Sequence, residues 1–274
     1  MSKKYTNNHP LIKLWKKNQS TINGWLTIPD GFSAEIMAHQ GFHSITIDMQ
    51  HGVIDYQKTV EMIRAINTTS TPTIVRVPWL DPASIMKTLD AGATGIICPM
   101  INNKEQAQKL VEYASYAPMG TRSFGPTRAP FLYGDNYQPI ANSSLLVIAM
   151  IETKEALENL DDIIGTEGID AIFIGPSDLS LSLGYPAQFN NEDPYIMETI
   201  EHIVKTTKKH GKYIGLYNTD LDYALKMVKL GFDYVTVSND SSYIAQTAYE
   251  ITSKFKNKIS GIKDSKKKSK DSSY

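Results

Sequence analysis

The stretch Gly168-Ile-Asp-Ala-Ile-Phe-Ile-Gly175, running on into Pro176-Ser177-Asp178, holds the architecture in miniature. A glycine suited to a left-handed helix C-cap opens it. A short β-rich apolar run follows, and a turn with an acid closes it. The pattern recurs in Gly41-Phe-His-Ser-Ile-Thr-Ile-Asp48, Gly92-Ala-Thr-Gly-Ile-Ile-Cys-Pro99 and Gly231-Phe-Asp-Tyr-Val-Thr-Val-Ser238. The four glycines stand 51, 76 and 63 residues apart, too far for one strand–helix unit and about right for two. The gaps supply the missing strands at 73–77, 145–151 and 213–216, and 25–28 precedes them all. Helical stretches alternate with these at 32–40, 56–67, 82–91, 103–115, 153–164, 194–210, 219–230 and 240–255. Eight strands alternating with eight helices predict an α/β fold, a (β/α)8 TIM barrel. A doubly wound open sheet is the rival, but no G-x-G-x-x-G follows the first strand.

The domain reading is one barrel over 1–255. Leu11, Ile12, Leu14 and Trp15 form the apolar side of an N-terminal capping helix. Residues 256–274, rich in lysine and serine, read as a disordered tail. The 274 residues are 41% hydrophobic, enough for a full core, and the net charge of −1 gives no general field for nucleic acid or an acidic membrane. No run of 18 apolar residues suggests a membrane span, and no signal-peptide core is present. The single cysteine, Cys98, excludes an internal disulfide and suits a reducing, cytoplasmic setting.

Barrel enzymes place their chemistry at the C-terminal ends of the strands. Strand two ends in Asp48 and, three residues on, His51; strand three in Arg76; strand four in Pro99 and Met100. Strand five ends in Glu152, strand six in Gly175, Pro176, Ser177 and Asp178, and strands seven and eight in Tyr217, Asn218 and Ser238. Each has a structural alternative: Glu152 as an acid at a helix N-terminus, Asp178 as a helix cap, Arg76 in a barrel ion pair, His51 in a turn. These alternatives would have to hold together at several strand ends. As a set the residues describe an enolate-forming site for a 2-oxo acid. Glu152 and Asp178 suit a hard divalent cation, which would act as a Lewis acid. Arg76 would stabilise a developing oxyanion, and His51, held by Asp48, would move protons. The Gly175–Asp178 turn would offer N–H groups to a carboxylate. A Schiff-base route would need a lysine facing the barrel, and none of the strand runs contains one. The Pro- and Gly-punctuated connection from Ala117 to Ser144 reads as a loop over the mouth or at a subunit contact.

These residues resemble the HpcH/HpaI family of metal-dependent class II pyruvate aldolases. The resemblance rests on Ile47-Asp-Met-Gln-His-Gly52, Arg76-Val-Pro-Trp79, Leu89-Asp-Ala-Gly-Ala93, Pro99-Met100, Ala149-Met-Ile-Glu-Thr153 and Phe173-Ile-Gly-Pro-Ser-Asp-Leu-Ser180. It implies reversible aldol cleavage of a 4-hydroxy-2-oxo acid to pyruvate and an aldehyde, with Glu152 and Asp178 binding Mg2+, Mn2+ or Co2+. It further implies Arg76 at the enolate oxygen, His51 with Asp48 as an acid/base dyad, and Ser177 at the substrate carboxylate. A homo-oligomer, hexamer or trimer, with the last helix exchanged between subunits is also implied. Gln50 and Met150 depart from the glutamate and glutamine common in the family. The histidine motif is closer to a branch resembling macrophomate synthase, which brings in oxaloacetate decarboxylation. Two other readings remain: a CoA-ester lyase of the citrate lyase β-subunit or malyl-CoA type, and a non-catalytic binding barrel.

Overall fold

A computed structural model describes residues 7–134 and 137–270, with side chains to residue 259. Eight strands, β1 (Thr21–Leu26), β2 (Ser44–Asp48), β3 (Thr73–Arg76), β4 (Gly95–Cys98), β5 (Leu146–Ile151), β6 (Ala171–Ile174), β7 (Tyr213–Asn218) and β8 (Tyr234–Val237), pair in parallel in sequence order. β8 returns to β1 through Thr21↔Tyr234, so the sheet closes into the expected barrel.

Closure divides the apolar residues into two cores. The larger lies between strands and helices, where Ile45, Ile47, Val75, Ile96, Ile172 and Leu216 meet the helix faces. The smaller fills the barrel interior with Ile74, Ile97, Ile148, Met150, Phe173 and Tyr234. Strand alternation explains the division, since neighbouring residues face opposite sides. The N-terminal helix Pro10–Trp15 plugs the interior from below. Its Trp15 ring lies 5.0 Å from Tyr213 and 5.6 Å from Tyr234, and its indole N–H donates to Thr21 Oγ1 at 2.8 Å. His9 caps this helix: its Nδ1 accepts the Leu11 N–H, and Pro10 begins the first turn. Above the plug Asn23 joins the polar interior residues, donating to Thr236 Oγ1 and accepting from the hydroxyls of Ser44 and Thr46.

Besides shifts of one or two residues at element ends, four differences from the sequence reading stand out. β1 spans 21–26 rather than 25–28, because the N–H groups of Thr27 and Ile28 leave the ladder for the Asp240 carboxylate (2.8 and 3.2 Å). The helix expected over 153–164 breaks at Asn159 into Lys154–Glu158 and Leu160–Ile164. The connection from 117 to 144 carries two helices, Ala129–Tyr133 and Tyr137–Ser144. The last helix runs from Asp240 to Lys270, past residue 255. The lysine-rich segment contains no proline, and lysine is a good helix former; residues 271–274 lie outside the described ones.

Candidate active site

The C-terminal ends of the strands surround a cavity of about 330 Å³. Asp48, His51, Arg76, Glu152, Gly175, Pro176, Ser177 and Asp178 all line it, so the closed barrel gathers every site residue expected from the sequence. Pro99, Met100, Asn218 and Ser238, also read as strand-end residues, do not line it.

Register places Asp48 opposite Arg76 on adjacent strands. Arg76 Nε donates to Asp48 Oδ1 at 2.8 Å and Nη2 to Oδ2 at 2.6 Å, a bidentate pair almost sealed from solvent. Asp48 also accepts the Trp25 indole N–H (3.2 Å) and the backbone N–H groups of Gln50 (3.1 Å) and His51 (3.3 Å). Burial pushes the Asp48 carboxyl up, but the Arg76 pair and these donors outweigh it and hold it below the usual carboxylate range. The side-chain bond expected between His51 and Asp48 is not made in this structure. Asp48 binds the backbone of His51 and spends its side-chain bonding on Arg76, while the exposed His51 ring makes no bond to it. Asp48 thereby holds two nitrogens of the guanidinium in place. Trp25 completes the clamp, with its ring 4.9 Å below the guanidinium carbon.

Glu152 stands one residue past β5 and is 1% exposed. Its Oε1 accepts the Met100 N–H at 2.7 Å. Met100 holds a left-handed φ of 56°, a sparsely populated conformation for a non-glycine residue, and its N–H donates to the carboxylate. Gly175 lies close on the other side: a Cβ there would come within 2.2 Å of Glu152 Oε2 and displace the carboxylate. Burial pushes Glu152 up to about 7; the Met100 N–H opposes the shift and the charge of Asp178 adds to it. Asp178 is exposed in the first turn of the short helix Pro176–Ser182.

Two carboxylates in mutual repulsion, with no lysine or arginine paired to either among the described residues, form an oxygen-only donor set. Such a set fits a hard divalent cation that completes its shell with water and substrate oxygens. No group of three or more His, Cys, Asp or Glu suited to a metal occurs among the described residues, so a cation here would have two protein carboxylates.

Of the aromatic side of the cavity the sequence reading reached only Tyr217; it missed Trp25, Phe173 and Phe189. Trp25 stacks on Phe173 at 5.8 Å and meets Tyr217 edge-on at 5.4 Å; Phe189 lies 5.2 Å from Tyr217. The alternation Thr21-Ile-Asn-Gly-Trp25 carried the signal for Trp25, which starting the strand at residue 25 obscured. Phe189 comes from a loop with no periodicity and left none.

The HpcH/HpaI aldolase/citrate lyase family pattern matches residues 25–246. The chain belongs to this family. Among HpcH/HpaI relatives, the hydroxypyruvate/pyruvate aldolase of Rhizorhabdus wittichii is 38% identical over 237 residues, 86% of this chain and 94% of its own. The 4-hydroxy-2-oxo-heptane-1,7-dioate aldolase of Shigella flexneri is 32% identical over 248 residues, 89% of this chain and 92% of its own. A crystal structure of an HpcH/HpaI aldolase/citrate lyase family protein from Burkholderia cenocepacia J2315 superposes with a TM-score of 0.84 at 26% identity, covering 90% of this chain and 98% of that one.

Proposed function

We propose that the chain is a carbon–carbon lyase that reversibly cleaves a 4-hydroxy-2-oxo acid to pyruvate and an aldehyde. The observation that carries this reading is the acid pair Glu152/Asp178, with no cationic side chain bonded to it, sharing one cavity with Arg76. A divalent cation (Mg2+, Mn2+ or Co2+) held by Glu152 and Asp178 would supply Lewis-acid polarisation of the 2-oxo group. Asp48 fixes two guanidinium nitrogens of Arg76 and leaves Nη1 to donate to the oxygen that gains charge. Ser177 and the unpaired N–H groups of the first helical turn receive the substrate carboxylate. His51, its ring free of Asp48, takes the proton from the C4 hydroxyl as the C3–C4 bond breaks and its electron pair passes into the enolate. Protonation at C3 then gives pyruvate. Loss of CO2 from oxaloacetate reaches the same enolate and is expected as a side reaction. The names of the two relatives, both aldolases over most of their length, favour this reading over a CoA-ester lyase.

The chain is further proposed to work as a homo-oligomer, trimer or hexamer. The helix Asp240–Lys270 leaves the barrel after its first turn and exposes Ile244, Ile251 and Phe255. Over β8 and β1, where an eighth helix would cover a barrel, Ile22, Leu225, Val228 and Val235 line an open apolar groove. Exchange of the last helix between copies covers both surfaces. A cytoplasmic setting fits buried Cys98, whose thiol burial raises far above its usual range; no helix among the described residues is long and apolar enough to cross a membrane.

Release of pyruvate from a panel of 4-hydroxy-2-oxo acids and oxaloacetate, with Mg2+, Mn2+ or Co2+ added, tests the reaction. Turnover abolished by EDTA and by Glu152→Ala is the expected result. No pyruvate from any of them, or activity surviving both treatments, sinks it. Light scattering tests assembly: a monomer at micromolar concentration would exclude the exchanged helix.

A further inference from the structure

We infer that Tyr217 and Asn239 form a hydrogen-bonding subsite for a hydroxyl group on the aldehyde partner, so that the preferred aldehydes are short hydroxylated chains. This rests on the lyase reading above and names the second substrate of the same site.

Around the barrel, Arg76 stands on β3 and the two acids follow β5 and β6. The remaining arc of the mouth is β7, β8 and β1, which contributes Tyr217, Asn239 and Trp25. An oxo acid held between Arg76 and the acids leaves this arc for the rest of the substrate. Ser238 takes a left-handed φ of 58° just after β8. Asn239 then caps the last helix: its Oδ1 accepts the Ser242 N–H (2.9 Å) and the Ser241 hydroxyl (2.7 Å). These two bonds fix the orientation of the amide, because turning it over would set its NH2 against the Ser242 N–H. Nδ2 is therefore the atom that faces Tyr217, and it donates to the phenol oxygen at 2.9 Å. The phenol oxygen serves Asn239 as acceptor, and its own O–H has no acceptor among the described residues. Asn239 retains a second N–H. The arc thus offers two neutral donors beside the aromatic rings of Tyr217 and Phe189.

Neutral donors over aromatic rings suit a hydroxylated carbon chain, with hydroxyl oxygens toward the donors and C–H groups toward the rings. A carboxylated aldehyde fits less well. Asp48 and Arg76 are paired with each other, and the charge of Asp240 reaches Tyr217, so the arc adds no cationic side chain for a second carboxylate. Burial keeps the phenol protonated and able to donate.

The test measures kcat/KM for condensation of pyruvate, and of hydroxypyruvate in its place, with glyceraldehyde, propanal and succinic semialdehyde, in wild type, Tyr217→Phe and Asn239→Asp. Tyr217→Phe removes the donor. Asn239→Asp keeps the helix cap and turns the phenol O–H toward the new carboxylate. The wild type is expected to favour glyceraldehyde over propanal by about tenfold or more, and each variant to bring the two within about twofold. The ratio within one protein is insensitive to a general loss of folded enzyme or of enolate chemistry. Turnover with an unchanged ratio in both variants overturns the subsite. So does a wild type that prefers propanal or succinic semialdehyde, or variants that lose only their use of hydroxypyruvate in place of pyruvate, which would move the hydroxyl to the other substrate. No product from any aldehyde sinks the lyase reading itself, a failure distinct from turnover without selectivity.

Discussion

The two ends of the barrel handle buried polar groups in opposite ways. Beneath the barrel interior, the polar side chains around the plug meet partners inside the protein: Trp15 bonds Thr21, His9 bonds Thr94 and Leu11, and Asn23 bonds three hydroxyls. At the mouth, buried Glu152 has no ion-pair partner among the described residues, Arg76 keeps a free nitrogen, and the Tyr217 O–H has no acceptor. Both ends sit on the same strands, so the difference lies in what is left unsatisfied. A polar group without an internal partner costs stability. Three such groups around one cavity mark where a ligand completes the bonding, and the bonded plug below marks a platform that holds those groups in place.

The largest effect that should separate the two ends is at Glu152. Glu152→Gln keeps the shape and the Met100 bond but removes one of the two repelling charges. It should cut kcat/KM by about a thousandfold, while the melting temperature stays level or rises because a buried charge is gone. A melting temperature that falls along with activity would make Glu152 a structural acid. Trp15→Ala should do the reverse: about 3–5 kcal/mol of stability lost in urea unfolding, with KM and kcat of the folded enzyme unchanged. Asp48→Asn joins the two behaviours. It should cost about 3 kcal/mol by leaving Arg76 buried without its charge partner and lower kcat more than it raises KM, because the guanidinium is no longer fixed. An unchanged kcat would mean that Arg76 does not act in the transition state.

The smallest effect is a pH dependence of stability from the bottom of the barrel. Burial lowers His9 to about 3 from its ordinary 6.5. Between those values the unfolded chain binds the proton and the folded one does not. His9 therefore makes stability fall as pH drops below 6.5, by at most about 1.4 kcal/mol per pH unit, and has no effect above it. Asp170, which burial raises to about 6, and Glu152, raised to about 7, act in the opposite sense over part of this range. The informative quantity is therefore the difference between wild type and His9→Asn at pH 7 and pH 5. The variant should lose less stability on acidification; equal losses would show that His9 is not held neutral.

Most of the barrel was readable from local pattern. The glycine-led repeats located β2, β4, β6 and β8, and the apolar runs located β3, β5 and β7, because each strand buries consecutive residues on both faces. β1 was misplaced because polar Thr21 and Asn23 point into the barrel, where Asn23 bonds side chains of β2 and β8. The pairing of His51 with Asp48 was read from their nearness in sequence. Arg76, 28 residues away in sequence, takes that carboxylate, because register sets the two side by side.

The sequence by itself determined how many strands there are and which residues stand at their ends, since both follow from periodicity and chain order. Only the tertiary structure decided which of those residues bond to one another. The carboxylate that Arg76 binds, the closeness of Glu152 to Gly175 and the orientation of Asn239 toward Tyr217 depend on strand register and barrel closure. Those are set by packing across the whole sheet, and no short stretch of chain encodes them.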